Sequence, residues 1–153
     1  MRRVGAIVVA ASVALAMAFA VSAGAAQGGP LSKADYIVAA DNVCRQADQL
    51  REEAASDAFA ETQPGQEPTS DQYAEYVAGI TPINDQQLDS LRSLPAPKAD
   101  RKKLKKIYKL VEKAFDKIAA DPNLILTIDA VFAKADKAAQ KYGFLVCGTR
   151  SSD

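Results

Sequence analysis

Few residues in this chain are of types that carry chemistry, and their spacing limits what they can do. Carboxylates come in pairs one helical turn apart, Asp48 with Glu52 and Asp85 with Asp89. Two carboxyl groups flanking a sugar bond can hydrolyse it, but i,i+4 pairs share one helix face and are far more often solvated surface. Histidine is missing from all 153 positions, which removes the commonest general base and the commonest metal ligand. No G-x-S-x-G, glycine-rich phosphate loop or EF-hand pattern occurs. Cys44 and Cys147 stand 103 positions apart, and once bonded neither offers a thiolate nucleophile or a zinc ligand. These residues read as a non-catalytic protein with no metal and no resident cofactor.

Two other groups point to binding. Tyr36, Tyr73 and Tyr108 fall on the apolar sides of expected helices, and tyrosine can ligate haem iron when histidine is absent. Haem or another apolar ligand is therefore one expectation; core residues with polar tips are the simpler one. Lys102, Lys106, Lys109, Lys113 and Lys117 share one arc of a helix whose other arc carries Leu104, Ile107, Tyr108, Val111, Phe115 and Ile118. A basic amphipathic helix can lie on an anionic membrane or cell-wall polymer. The ordinary use of such an arc is a solvated face. Because Phe115 and Ile118 are expected to serve the core, any attraction would be peripheral rather than inserted.

The first residues set the compartment. Arg2 and Arg3 precede an uncharged apolar run from Val4 to Val21, and Ala23-Gly24-Ala25 fits the pattern a signal peptidase reads. The expected division is a signal peptide over 1–26, a linker over 27–31, a helical domain over 32–148 and a disordered tail over 149–153. The alternative is an uncleaved membrane anchor, since about 18 apolar residues nearly span a bilayer. An exported chain meets oxidising conditions, so a Cys44–Cys147 disulfide is expected. Closing a loop of about 100 residues stabilises by about 4.7 kcal/mol in the chain-entropy treatment. Export also argues against nucleic acid as a partner. Beyond the signal, residues 27–95 carry four basic and twelve acidic side chains, whereas 96–153 carry thirteen basic and seven acidic. Halves of net −8 and +6 would most simply lie against each other.

Four amphipathic helices must position these residues. Ser32 caps the first, with Asp35 in the capping box, Leu31 and Tyr36 as a staple, and a seam of Tyr36, Ala40, Val43, Ala47, Leu50 and Ala54. That periodicity turns Cys44 inward. Ser70 is expected to cap the second helix, which Thr81-Pro82 either bends or splits. Asp100 opens the third, through Ala120. Asp121-Pro122 starts the fourth, with proline in its first turn, and Gly143 takes the left-handed position that ends it, followed by the apolar contact of Phe144. The expected fold is all-α, an up-down four-helix bundle with one disulfide tying the C-terminal tail to the first helix. Cys44 lies about 17 Å along that helix, and the four steps from Gly143 to Cys147 span up to about 14 Å. For a tail that reverses at Gly143, the geometry permits the bond without requiring it.

The run from Leu31-Ser32-Lys33 through Asp41 to Cys44, the stretch Leu91-Arg92-Ser93-Leu94-Pro95, and the ending Tyr142-Gly143-Phe144 with Cys147-Gly148 resemble a group of uncharacterised small exported helical proteins of actinobacteria. The resemblance covers nearly all of the chain beyond the signal. It implies a scaffold and an extracytoplasmic address, with an unidentified protein or envelope component as partner, and brings no functional residues. In size and cysteine placement alone, the chain is also similar to small exported haem-carrying proteins of the same bacteria.

Overall fold

Helical periodicity is realised almost throughout residues 29–149, which are those that the structure, a computed structural model, describes. The helices are α1 (Lys33–Ala58), α2 (Ser70–Ser93), α3 (Arg101–Ala120) and α4 (Ile128–Tyr142), with a 3₁₀ segment, Pro122–Thr127, ahead of α4. No strand occurs among the described residues. The signal segment 1–26, residues 27–28 of the linker and residues 150–153 of the tail lie outside them. No described helix is long and apolar enough to cross a membrane.

Local signals explain most boundaries. The Ser32 side chain accepts from the Asp35 amide, satisfying one of the free donors at the start of α1. At α2 the cap is Thr69 rather than Ser70. Thr69 Oγ1 accepts from the Gln72 amide and Gln72 Oε1 accepts from the Thr69 amide, a reciprocal pair that Ser70 has no glutamine in place to complete. α2 is not split at Pro82. The carbonyl that the proline leaves without its usual donor belongs to Ala78, an exposed residue that water can reach. Asp100 precedes α3 but makes no side-chain cap bond; its carboxylate accepts from the Tyr142 hydroxyl at 3.0 Å instead. After Pro122 the chain first winds as a 3₁₀ helix and becomes α-helical only at Ile128. Asp121 caps that tighter segment by accepting from the Asn123 amide.

Apolar faces bring the helices together as a bundle. One buried group joins Tyr36, Ala40 and Cys44 of α1 to Leu88 and Leu91 of α2, Leu104, Ile107 and Tyr108 of α3, and Ala139 and Tyr142 of α4. A second, towards the other end, joins Val77, Ala114, Ile118, Phe132 and Ala135. Leu50, expected in the α1 seam, is 42% exposed, because a polar layer occupies the α1–α2 interface near it. Arg51 Nη1 donates there to Asn84 Oδ1 and Gln87 Oε1, and Nη2 pairs with Asp48. The acidic half packs against the basic one, α2 on α3. The ion pair between α2 and α3 runs in the other sense, from Arg92 of the acidic half to Glu112 of the basic one, at 2.7 Å.

The C-terminal segment closes the fold. Gly143 has φ +116°, a left-handed conformation open to glycine. The Gly143 amide then reaches the Gln140 carbonyl and the Phe144 amide reaches Ala139, the two bonds of a Schellman ending. The reversed chain runs back along α1, where Asp41 is 5% exposed. Asp41 Oδ2 accepts the Leu145 amide at 2.9 Å, and Oδ1 accepts those of Val146 and Cys147 at 3.0 Å each. Cys147 is bonded to Cys44, one turn further along α1, with Cα atoms 5.3 Å apart. Gly148 lies so close to α4 that a Cβ there would stand 2.9 Å from that of Ala139.

Asp41→Ala should therefore lower unfolding free energy by about 2–4 kcal/mol, since bonds to a charged acceptor contribute roughly 1.5–3 kcal/mol each and water recovers part of the loss. Asp41→Asn should cost less, because one oxygen still accepts. Denaturant melts of the two variants check the order; equal and negligible losses would contradict it.

Candidate functional site

The sequence Leu94-Pro95-Ala96-Pro97 cannot continue a helix, so the chain leaves α2 extended, with Leu94 at φ −63° and ψ 137°. The Pro95 carbonyl accepts the Leu31 amide at 2.8 Å, which pins this connection over the start of α1. Between it, α2 and α3 lies an open groove of about 820 Å³. Leu94, Pro95 and Ala96 are its accessible apolar wall, and the buried Leu91, Leu104, Tyr36 and Tyr108 form the layer beneath, its floor. Arg92, Arg101, Lys105, Lys109 and Glu112 stand at its edge.

The two floor tyrosines are buried and share a short hydroxyl–hydroxyl hydrogen bond. Tyr36 also donates to the Leu91 carbonyl at 3.4 Å. Burial pushes both phenols above their ordinary value near 10, with the bond to Tyr36 holding the proton on Tyr108. A phenolate ligand to haem iron would have to surrender that proton in surroundings that favour the neutral form, so the pair fits an apolar ligand rather than an iron. Tyr142, raised by burial and by its bond to Asp100, stacks edge-on against Tyr36 with centroids 6.5 Å apart. Phe144 packs on both rings. The reversed C-terminal segment thus supports the groove floor from behind.

The expected site residues divide between places. Tyr36 and Tyr108 come together, but Tyr73 sits apart, half-buried against Phe59 with centroids 5.7 Å apart. Lys102, Lys106, Lys109, Lys113 and Lys117 are all exposed, and none forms an ion pair among the described residues. Of these five, Lys109 borders the groove. The carboxylate pairs make no joint site: Asp48 pairs with Arg51, and Asp85 and Asp89 are exposed on α2. No group of three or more potential metal ligands stands together among the described residues. Arg101 and Lys105 were not singled out from the sequence, although their i,i+4,i+8 spacing with Lys109 marks one flank of α3.

A second cleft, of about 430 Å³, opens where no Cα of α1 comes within 8 Å of one of α4. The Cys44–Cys147 bond and Val146 border it at one end, over an apolar floor that includes Ile80, Phe115 and Ile118. Gln87 reaches into this region, its Nε2 lying 3.1 Å from Cys44 Sγ.

Comparison with protein-family models, with curated proteins and with solved structures finds no match to this chain.

Raised phenols tie stability to alkaline pH. The folded protein holds the Tyr36, Tyr108 and Tyr142 protons more tightly than the unfolded chain does. Their contribution is complete below pH 10 and declines above it, by about 1.4 kcal/mol per pH unit for each phenol still protonated in the fold. Unfolding free energies measured from neutral pH upward should fall beyond pH 10, and phenolate absorbance from these three should rise only with unfolding. Tyr108→Phe should cost about 1 kcal/mol at neutral pH and flatten the alkaline decline; an unchanged slope would refute the assignment.

Proposed function

We propose that this chain is an exported, non-catalytic binding module of the cell envelope, an up-down helical bundle that carries an apolar ligand in the groove between α2 and α3. The observation that carries the reading is the groove itself: aliphatic walls, neutral phenols beneath, and a volume within the range of small-ligand sites. Export is supported by the charge-then-apolar pattern of residues 1–26 and by a disulfide, a bond that persists in oxidising compartments. The non-catalytic reading is supported by the absence of histidine from the sequence and by two cysteines bonded to each other.

A neutral apolar dye such as Nile red should bind the oxidised protein at a single saturable site. Ala96→Trp, which places a large ring into the groove wall, should abolish that binding while the thermal transition stays in place. Folded protein that leaves the dye dark would remove the carrier reading. Haemin should give no tyrosinate-type Soret shift.

A second reading is favoured by the five lysines of α3 that stand in solvent without an ion pair among the described residues. They would attract the protein to an anionic membrane or cell-wall polymer. Sedimentation with anionic vesicles at low ionic strength should carry the protein down, and salt should release it because exposed charges are screened. Protein left in the supernatant at low salt would end this reading.

A further inference from the structure

The groove's edge is charged in one sense, and this specifies the ligand beyond its being apolar. Arg101, Lys105 and Lys109 line the α3 side at i,i+4,i+8, a stripe about 12 Å long at 1.5 Å per residue. All three are exposed, and none is paired among the described residues. The carboxylate at the edge, Glu112, is already held by Arg92 at 2.7 Å. Below the edge the polar groups are satisfied among themselves, since the two phenols bond to each other and Tyr36 reaches the Leu91 carbonyl. A polar head taken into the floor would break those bonds without replacing them. A ligand therefore gains by laying hydrocarbon along the accessible Leu94, Pro95 and Ala96 while its head stays at the edge, facing three cations.

We infer that the groove binds a single-chain lipid acid, a fatty acid whose carboxylate is held by Arg101, Lys105 and Lys109. This rests on the carrier reading above and adds the charge and position of the head. The three residues are specificity determinants: each exposed pairing is weak, and together they favour the anion by roughly tenfold. The chain supplies the remainder, at roughly two- to fourfold in affinity per buried methylene.

The test is calorimetric titration of the oxidised protein with dodecanoate, dodecanol and dodecyltrimethylammonium, each below its aggregation threshold. Dodecanoate should bind about tenfold more tightly than dodecanol at low salt, the cation should bind most weakly, and salt should narrow the gap. Replacing Arg101, Lys105 and Lys109 together by glutamine should abolish the preference while leaving dodecanol binding intact, which also shows the variant to be folded. Replacing Lys102, Lys106 and Lys113 by glutamine changes net charge equally away from the groove, and should leave the preference in place. Equal affinities for acid and alcohol, or equal losses in both triple variants, would overturn the head assignment while leaving the carrier reading standing. Failure of all three ligands and of the neutral dye would remove both.

Discussion

Asp41 accepts three consecutive backbone amides from a segment more than a hundred residues away in sequence, and the ordering of the C-terminal chain depends on that contact. Leu145, Val146 and Cys147 follow the end of α4, where nothing in their own sequence fixes a regular structure. A buried carboxylate would be costly without partners, and these amides would need acceptors wherever they left water. Each side solves the other's problem. The disulfide one helical turn along α1 adds a covalent constraint to the same junction, and Gly148 lets the chain lie flush on α4.

What this junction secures is larger than the junction. The reversed segment brings Phe144 against Tyr142, and both against Tyr36. Tyr36 in turn bonds to Tyr108 and forms the groove floor. Tyr142 also reaches Asp100 at the start of α3. One run of contacts thus passes from the C-terminal segment through an aromatic layer to the groove.

Much of the fold was legible in the sequence because it follows from local chemistry. The Ser32 cap, the apolar arc of α3 and the glycine that ends α4 each follow from a residue type in a required place. The misplacements have physical causes too. Ser70 and Thr69 are both good caps, and the choice turned on which has glutamine three residues later. Pro122 suits a first helical turn, yet does not decide between 3₁₀ and α winding. Leu50 fits the α1 periodicity, but its exposure depends on Arg51 gathering Asn84 and Gln87 from another helix, a pairing no local pattern announces.

The residues that line the groove were harder to read. Lysines at helical spacing drew attention to one arc of α3, whereas the groove uses the neighbouring flank, where Arg101 and Lys105 mix with Leu104 and Tyr108. Which flank matters is set by the extended Leu94–Pro97 connection, and so by tertiary structure. Tyr73 shared the apolar placement of Tyr36 and Tyr108 but meets Phe59 at the other end of α2. Asp41 lies within α1, and nothing local in the sequence distinguishes it from a surface carboxylate.

The central claim is that the C-terminal segment is fastened to α1 through Asp41 and the disulfide. Backbone hydrogen exchange at Leu145, Val146 and Cys147 in the oxidised protein tests it most directly. The account predicts slow exchange at all three amides, with selective loss of that protection in Asp41→Ala while the amides inside α3 remain slow. Exchange at the rates of an unstructured peptide in the unaltered, oxidised protein would contradict it.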